Sequence, residues 1–470
     1  MGTILRSLGL LLLVSYGTFA YNKDIYQVKF PNEHEEQGNL LPKIKQDAAV
    51  ARDPYKVNGN GTIWAVLVAG SNGYYNYRHQ ADICHAYQIL LRNGVAKEHI
   101  IVLMFDDVAN SEENPTPGVI INRPNGPNVY AGVEIDYKGD DVKPDVFLKV
   151  LLGDEKSLRG VGTGRVLKSG PDDHVFINFA DHGAPGLVAF PSEELHAQDL
   201  ISTIKKMHLT KMYAKMVLYV EACESGSMFD NLLPAHWNVF ATTAANDVES
   251  SYACYMDDYR ETYLGDVYSI KWMENSDQAN LEQETLQKQF LIVRNETNTS
   301  HVMEFGDKSL RRLPVAQFLG ESEPERKVRL PEVELNAVES SEVVREILER
   351  KLILSNSTEQ KKNLRWKLKR FHKLRKLVKT EMKEIVSKVT KGLETEMKVL
   401  EHTRMPITNW DCYEQTAKYY SRECFSIAKN PYVTRQLYLL ANMCERGWGA
   451  DAIQQAMSST CNHSSLQGIN

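Results

Sequence analysis

Short runs of apolar, largely β-branched residues recur in the first half of the chain, each bounded by turn residues. They lie at Ile63–Ala69, Ile100–Phe105, Val175–Ala180, Met216–Val220 and Val239–Thr243. Such runs are typical of strands that are buried on both faces of a sheet. Amphipathic stretches between them, such as Gln80–Arg92 and Glu194–Met207, predict crossover helices. The alternation predicts an α/β fold with a mostly parallel sheet.

The pattern changes after residues 321–337, a charged stretch with prolines that we interpret as a linker. From Leu364 to Leu393 apolar side chains recur every three or four residues, which predicts one long amphipathic helix. Its other face is basic, since residues 361–404 contain 15 Lys and Arg against 5 Glu in a chain whose net charge is −6. Such a helix could bind a membrane surface, nucleic acid or an acidic surface of its own chain, or stay solvated.

The start of the chain carries signals of the secretory pathway. Residues 1–20 combine a positive residue, a short apolar run and a small-residue cleavage site, which predicts a signal peptide. The polar residues 21–57 predict a short leader. Outside the signal peptide, no stretch approaches the roughly 20 apolar residues of a transmembrane helix, so we expect no membrane span. Five sequons for N-glycosylation agree with this route: Asn60, Asn295, Asn298, Asn356 and Asn462.

The seven cysteines divide unevenly along the chain. Three are far apart and four crowd together near the end: Cys84, Cys223 and Cys254, then Cys412, Cys424, Cys444 and Cys461. In an oxidising compartment the last four predict two disulfide bonds, with three connectivities open. Their spacings lack the close pair that zinc sites use, and we expect no metal and no cofactor. The apolar surroundings of Cys84 and Cys254 predict buried thiols, with a disulfide between the two as the alternative.

Two predicted strands end in residues that suit nucleophilic chemistry. The strand ending at Ala180 runs into Asp181-His182-Gly183, and the strand ending at Val220 runs into Glu221-Ala222-Cys223. Parallel strands finish at the same edge of a sheet, so His182 and Cys223 face each other if the strands are neighbours. Histidine beside cysteine activates the thiol, and backbone N–H groups of Gly183 and Cys223 would meet an oxyanion. A buried cysteine and a core histidine without function are the alternative.

Longer motifs around these residues resemble the legumain family of asparaginyl endopeptidases. The motifs are Gly70–Asp82 (GSNGYYNYRHQAD), Asp181–Gly183 (DHG), Glu221–Ser227 (EACESGS), Ala241–Asn246 (ATTAAN), Glu249–Cys254 (ESSYAC) and Tyr263–Asp266 (YLGD). The resemblance also covers the cysteine-rich tail. It implies a caspase-like fold, with a mainly parallel six-stranded sheet between helices, and an all-α, disulfide-linked, death-domain-like prodomain at the C-terminus.

The resemblance also implies roles for individual residues. Cys223 would be the nucleophile, His182 the general base and Asn76 the residue that orients the imidazole. The N–H of Gly183 would bind the oxyanion, and Asp181 is an aspartate prone to succinimide formation. The implied S1 pocket consists of Arg78, His79, Glu221, Ser250, Ser251 and Asp266. Carboxylates and an arginine suit asparagine, whose amide donates and accepts at once, whereas aspartate should fit only when it is protonated.

The same resemblance implies a zymogen. The predicted order is a signal peptide (1–20), a leader (21–57), a peptidase domain (58–325), a linker or activation peptide (326–360) and an inhibitory helical prodomain (361–470). The implied disulfides are Cys412–Cys444 and Cys424–Cys461. We expect the Lys/Arg face of the tail to meet the acidic cleft, and protonation of interface carboxylates to release it in acid. Self-cleavage would follow at Asn336 or Asn356.

We therefore predict a cysteine endopeptidase that cuts after asparagine, and after aspartate in acid. Its partners would be protein and peptide substrates, its own prodomain and cystatin-like inhibitors, and we expect no nucleic acid. It would act in a lysosome or acidic vacuole, or be secreted, for example into a gut lumen. One alternative is a peptide ligase that uses the same thioester intermediate. The other is a non-catalytic binding protein, against which the intact Cys223, His182 and Asn76 argue.

Overall fold

The computed structural model describes residues 61–321, 333–463 and 466–469. The predicted signal peptide and leader, the sequon at Asn60 and residues 322–332 of the predicted linker lie outside these ranges. Within them, no helix is long and apolar enough to cross a membrane.

The strands are numbered in chain order over the described residues. They are β1 (Ile63–Ala69), β2 (Ile100–Met104), β3 (His174–Ala180), β4 (Gly183–Ala184), β5 (Leu187–Ala189), β6 (Glu194–His196), β7 (Lys215–Glu221), β8 (Val239–Thr243), β9 (Tyr252–Asp257), β10 (Thr262–Asp266), β11 (Met303–Gly306) and β12 (Val338–Glu339). Six of them form the central sheet in the order β11-β8-β7-β3-β1-β2. All neighbours in it are parallel except β11 and β8. The predicted mainly parallel six-stranded sheet is confirmed.

The helices flank this sheet and form the C-terminal part of the chain. They are α1 (Tyr77–Arg92), α2 (Pro144–Leu151), α3 (Ala197–Leu209), α4 (Val267–Gln278), α5 (Leu286–Glu296), α6 (Ala316–Leu319), α7 (Val343–Leu354), α8 (Thr358–Val389), α9 (Glu394–His402), α10 (Trp410–Glu423), α11 (Tyr438–Glu445) and α12 (Ala450–Thr460). The apolar side of α1, α4 and α5 covers one face of the sheet, and that of α2 and α3 covers the other. Two apolar layers therefore enclose the strands.

Burial on both faces explains why the strand signals are continuous apolar runs. In β1, Ala65 and Leu67 belong to the apolar cluster on one face, while Val66 and Val68 belong to the cluster on the other. Successive side chains of a strand point to opposite faces, so every position of a central strand must be apolar.

The long basic helix is shorter than its apolar stripe predicts. Helix α8 ends at Val389, and the next residues form a turn in which Lys391 and Gly392 have φ values of 53° and 72°. The N–H of Gly392 donates to the carbonyl of Ser387 at 2.8 Å, which closes the helix in a left-handed cap. Leu393, the last residue of the predicted stripe, is 58% exposed. The apolar period alone did not reveal this stop.

The C-terminal helices share one apolar core. It brings Val378, Met382 and Ile385 of α8 against Tyr413 and Tyr420 of α10, with α11 and α12 beside them. Disulfides join Cys412 to Cys444 and Cys424 to Cys461, the pairing that the resemblance implies. Cys84 and Cys254 are buried free thiols.

The described part of the predicted linker, from residue 333 to residue 360, contains folded elements. Strand β12 pairs antiparallel with β9, and Val343 and Ile347 of α7 form a small apolar cluster with Ala253 and Tyr263. Antiparallel α7 and α8 are joined by a turn at residues 355–357. The segment before the prodomain is therefore packed against the sheet domain.

Candidate active site

Three adjacent strands of the central sheet bring the predicted catalytic residues together. Strand β3 lies between β7 and β1, and its last residue, Ala180, is level with Glu221 of β7. His182 and Cys223 each follow two residues after those positions, so they emerge side by side at the carboxyl edge. The loop after β1 leads to Asn76 at the start of α1, at the same edge. Together, Asn76, His182 and Cys223 line one cavity.

A hydrogen bond between His182 and Asn76 determines which imidazole nitrogen is basic. His182 Nε2 lies 3.0 Å from Asn76 Oδ1, and the Nδ2 group of Asn76 donates to the carbonyl of Asn72 at 2.9 Å. Because a carbonyl oxygen can only accept, Nε2 carries the hydrogen and Nδ1 is left with its lone pair. A neutral His182 in this tautomer can accept a thiol proton at Nδ1.

Burial keeps Cys223 and His182 neutral in this structure. Burial raises the pKa of the Cys223 thiol, against hydrogen bonds from Ser250 and Ser251. Burial and the nearby Arg78 lower the pKa of His182 to about 3. Neither the thiolate nor the imidazolium is therefore favoured while the site is covered.

Gly183 must be glycine at this point of the chain. A Cβ added to it would lie 2.1 Å from the backbone oxygen of Cys223, which leaves no room for any side chain. The close backbone approach places the segment after His182 directly against the nucleophile's own residue. Gly183 stays a predicted oxyanion donor.

Three of the predicted S1 residues, Arg78, Glu221 and Asp266, form a buried polar cluster. The guanidinium of Arg78 is fully buried, with Nε donating to Asp266 Oδ1 at 2.9 Å. Glu221 Oε2 accepts from the backbone and the hydroxyl of Ser269, at 2.9 and 3.0 Å. Glu221 Oε1 and Asp266 Oδ2 are buried and have no hydrogen-bond partner among the described residues, and His79 Nε2 lies 3.6 Å from Asp266 Oδ2. Two acceptor atoms beside a fixed donor suit a carboxamide.

The carboxyl groups in and beside this cluster lie close enough to influence one another's protonation. Burial raises the pKa of both Glu221 and Asp266, while Arg78 partly offsets this for each. Asp82, which sequence reasoning quoted but gave no role, is also buried, and it accepts a hydrogen bond from the N–H of Asp266 at 3.3 Å. A third carboxyl group so close to the other two makes a further negative charge costly here.

Ser250 and Ser251 contact the nucleophile rather than the Arg78 cluster. Their hydroxyls lie 3.3 and 3.6 Å from Cys223 Sγ, and the N–H of Ser251 is 3.4 Å from the same sulfur. In this structure both serines hold the thiol in place.

His79 and Asp181 are buried next to the catalytic candidate His182. Ser71 Oγ lies 2.7 Å from His79 Nδ1, and the rings of His79 and His182 meet edge to face at 5.1 Å. Among the described residues, His79, Asp181 and His182 are the one group whose ligand atoms approach closely enough for a metal ion. Ser71 and Asn76 already bond nitrogens of this group, and Arg78 adds a positive charge, so we assign it no metal.

Strand β12 and the residues after it cover the site. Ser340 Oγ accepts from Nη2 of Arg78 at 2.8 Å, and its N–H donates to the carbonyl of Ser251 at 3.0 Å. Ser340, Ser341 and Val343 line the same cavity as Cys223, together with four residues of the C-terminal part: Pro431, Tyr432, Thr434 and Arg435. Sequence reasoning missed Ser340, because no local pattern marks a residue whose role comes from a distant strand pairing.

The C-terminal helices also pack on the loop after His182. A Cβ added to Gly186 would lie 2.5 Å from the ring of Trp410, and Ala184 and Leu187 join the apolar core of the helical region. Glu194 Oε1 accepts from Ser421 Oγ at 2.8 Å and from the N–H of Ala428 at 3.1 Å. The helical region is thus fixed to both sides of the catalytic cavity.

Only part of the Lys/Arg face of α8 makes the expected contact with the acidic cleft, where Lys379 lines a cavity together with Glu339 and Glu342. Arg375 bonds Glu342 and the carbonyl of Ser341, but the cations on the opposite side of α8 are exposed. The apolar side of α8 packs inside the helical region, which turns its basic side outward. Arg435 supplies a further positive charge at the cleft, 3.4 Å from Glu339.

Comparison with known proteins agrees with this site. Residues 63–321 match the model of the Peptidase C13 family, and residues 366–461 match that of the legumain prodomain. The chain belongs to the Peptidase C13 family and is a cysteine-type endopeptidase with a C-terminal prodomain.

Its curated relatives include legumains from several mammals. Legumain of Bos taurus is 50% identical over 406 residues, covering 85% of this chain and 93% of the relative. Hemoglobinase of Schistosoma japonicum is 42% identical over 85% of this chain and 92% of its own length. The vacuolar-processing enzyme of Vicia sativa is 39% identical over 92% and 93%. Caspase-1 of Spodoptera frugiperda aligns with a TM-score of 0.35 and 10% identity, over 62% of this chain and all of that one, and we infer nothing from it.

Proposed function

We propose that this peptidase cuts the bond after asparagine, and after aspartate in acid, and that it is made as a zymogen. The observation that carries the specificity is the fully buried Arg78, bonded to Asp266, with two buried carboxyl oxygens, Glu221 Oε1 and Asp266 Oδ2, that accept no hydrogen bond from the described residues. An asparagine amide would donate to those oxygens and accept from the guanidinium. A residue lacking either function would leave buried polar atoms unpaired, which costs several orders of magnitude in kcat/KM.

Aspartate carries the same carbonyl but is charged at neutral pH. Its carboxylate would meet Glu221, Asp266 and Asp82, and all three have pKa values raised by burial. Protonated aspartate has one O–H donor and resembles the amide, so cleavage after aspartate should grow as the pH falls.

In the proposed reaction Cys223 attacks the carbonyl carbon of the substrate and passes its proton to His182 Nδ1. Asn76 holds the ring through Nε2, at 3.0 Å. The imidazolium then protonates the leaving amine, and the acyl group remains on the sulfur as a thioester. Water that loses a proton to His182 attacks this thioester, which releases the acid and the free thiol. The N–H groups of Gly183 and Cys223 would stabilise the oxyanion in both steps.

The inhibitory cover is the second part of the proposal. Ser340 takes the hydrogen bond of Arg78 that an asparagine substrate would use, and it lacks the amide that completes the site. The C-terminal part closes the cavity through Pro431–Arg435. Cuts after the exposed Asn336 or Asn356 would leave this cover held by non-covalent contacts alone.

The direction of each pKa shift indicates whether a group favours or opposes release of the cover in acid. Burial raises the pKa of Glu224 to about 8 and raises that of Glu194, so protonation favours the covered state at both and they oppose release. For Glu342, burial is outweighed by the hydrogen bonds from Arg345 and Arg375, and its pKa is lowered. Ionised Glu342 therefore stabilises the covered state at neutral pH, and this stabilisation is lost as the pH falls through the lowered pKa of Glu342.

His196 is a stronger candidate for acid release than these carboxylates. Burial lowers the pKa of His196 to about 4, while Glu414 of α10 partly raises it and Lys418 lowers it. A ring that is solvated after release has a pKa near 6.5, so its protonation favours the uncovered state as the pH falls from about 6.5 to about 4. We therefore place the compartment of activation on the acidic side of the secretory route.

An acid incubation tests the proposal directly. The full-length chain and its Cys223→Ala variant are incubated at pH 5 with a peptide that contains one asparagine, and the products are read by mass spectrometry. We expect cleavage after asparagine and loss of the C-terminal part in the wild type only. An uncut peptide in both samples would refute the catalytic role of Cys223, and a joined product would favour ligation over hydrolysis.

A further inference from the structure

The exposed side of helix α8 carries an unusual density of positive charge. Residues 361–380 include ten Lys and Arg and no Asp or Glu. Eight of the ten are exposed, and none of these eight forms an ion pair with a carboxylate in the part of the chain that the structure describes. Basic and acidic residues usually alternate on the exposed side of a solvated helix. A run of basic residues without any acidic residue therefore indicates a negatively charged binding partner.

Five of these cations lie along one side of the helix. They recur every three or four residues, and we call them the basic stripe: Lys362, Arg365, Lys369, Lys373 and Lys376. The period of 3.6 residues places them opposite Phe371, Val378 and Met382, which are buried. At a rise of 1.5 Å per residue the stripe is about 20 Å long.

Large apolar side chains accompany the stripe. Trp366 is 58% exposed, and the guanidinium of Arg370 lies 5.9 Å from its ring. Ile353 and Leu354, at the end of α7 just before the turn into α8, are 77% and 52% exposed. A sulfated polysaccharide needs the cations alone, and a nucleic acid could stack on the tryptophan but has no use for isoleucine and leucine. Exposed tryptophan, isoleucine and leucine beside lysines are typical of surfaces that insert into a lipid interface.

The chain's own acidic surface does not occupy the stripe. The opposite side of α8 is the one that packs into the helical region, and the cavity above Cys223 is closed by Ser340, Ser341 and Pro431–Arg435. The stripe therefore remains available in the covered precursor.

We propose that the basic stripe and Trp366 form a docking surface for a negatively charged lipid bilayer. Lys and Arg would lie among anionic headgroups, and the indole would enter the interface beside them. Binding of this kind does not depend on the proposed cleavage specificity. Since the stripe belongs to the C-terminal part, the precursor would be held at the membrane and the released peptidase domain would leave it.

The predicted glycan on Asn356 bears on which residues make the contact. Asn356 is exposed in the turn between α7 and α8, two residues after Leu354. A glycan there would hold the turn away from the bilayer. Trp366 lies two helical turns further along α8, so the stripe and Trp366 make the contact with or without that glycan.

Co-sedimentation with vesicles tests the proposal on the full-length Cys223→Ala chain, which cannot process itself. The vesicles contain phosphatidylcholine alone or with about 30% phosphatidylserine, at physiological ionic strength. We expect binding to the anionic vesicles only. Replacing Lys369, Lys373 and Lys376 by glutamine should weaken the partition about fivefold per cation, which is about 100-fold in total. The Trp366→Ala variant should weaken it about tenfold.

The matched control removes the same charge from another exposed site. Lys205, Lys206 and Lys211 are exposed at the end of α3 and after it, next to Leu209, which is 69% exposed. Changing these three lysines to glutamine should leave the partition within about twofold. An equal loss in the control would show that net charge alone drives binding, and it would overturn the proposal.

A heparin column distinguishes lipid from a sulfated polysaccharide. If the stripe variant loses heparin retention while the parent chain never sediments with anionic vesicles, the partner is a polyanion in solution and the lipid proposal fails. Sedimentation that depends on both the stripe and Trp366 supports it. Unchanged melting temperatures of the variants exclude misfolding, because all the replaced side chains are exposed.

Discussion

Helices α1 and α8 use positive charge in opposite ways. Arg78, in the first turn of α1, is fully buried and donates to Asp266 and Ser340. The cations of the basic stripe on α8 are exposed and make no ion pairs within the described chain. Both helices are amphipathic in sequence, and the residue types alone do not separate them.

The cost of burial explains what each arrangement can do. An unpaired buried charge costs several kcal/mol, so Arg78 is tolerable only with fixed carboxyl partners and suits the single short-range recognition that we propose for it. Exposed lysines cost almost nothing and act through long-range attraction that salt weakens. A buried cation therefore selects one chemical group, and an exposed row selects a charged surface.

Among the substitutions that test this difference between buried and exposed cations, we expect the largest loss of activity at Arg78. The Arg78→Lys variant keeps the charge but loses the planar group that bonds Asp266 and the substrate carbonyl at once. We expect kcat/KM for an asparagine peptide to fall about 10³-fold in acid-activated enzyme. Arg92→Lys, at the exposed end of the same helix, is the control and should change kcat/KM less than twofold. Equal effects would remove the special role of the buried position.

Asn76 should show the next largest effect. The Asn76→Ala variant frees the His182 ring to rotate and removes the acceptor that fixes its tautomer. We expect kcat to fall about 10²-fold with a small change in KM. Asn72→Ala keeps the backbone carbonyl that Asn76 uses and should behave as wild type. A full loss of binding in Asn76→Ala, seen as a raised KM alone, would contradict an orienting role.

A change at Ser340 tests whether the segment after β12 inhibits the enzyme by covering the active site, as we propose. Ser340→Ala removes a hydrogen bond to a charged group, which is worth about 1.5–3 kcal/mol. We expect the precursor to activate about tenfold faster at pH 5. The neighbouring Ser341 hydroxyl has no hydrogen-bond partner among the described residues, so Ser341→Ala is the control. Equal rates in Ser340→Ala and wild type would show that Ser340 does not hold the cover.

The smallest expected effect is a shift in the pH of activation. The His196→Gln variant cannot gain a charge, so it should activate with a midpoint about half a pH unit lower than wild type. Gel analysis of the precursor across pH 4 to pH 7 measures the midpoint. His208→Gln, on α3 and away from α10, is the control. A higher midpoint in His196→Gln than in wild type would contradict the direction of shift that the lowered pKa of His196 requires.

The sequence predicts the sheet well because buried parallel strands leave a strong local signal. The bounds of β1 and β8 are those of the apolar runs, and the strand ends place His182 and Cys223 at one edge. The end of α8 was not predicted, since a left-handed turn at Lys391 and Gly392 interrupts an apolar stripe that continues to Leu393.

The cover of the active site was beyond local patterns. Ser340 reaches Arg78 because β12 pairs with β9, a contact between residues far apart in sequence. The basic stripe faces outward because the opposite side of α8 packs against α10 and α12. The distribution of charge along the sequence does not predict this packing. Long-range packing, rather than any missing motif, is what separates these features from the predicted ones.

The selectivity of the acid-activated enzyme tests the central claim most directly. Cleavage after asparagine and after aspartate is measured in one pair of peptides that differ only at that residue, at pH 7 and at pH 5. We predict a large preference for asparagine at pH 7 that shrinks at pH 5, because aspartate must be protonated to fit beside Glu221 and Asp266. Equal cleavage of the two peptides at pH 7 would contradict the account.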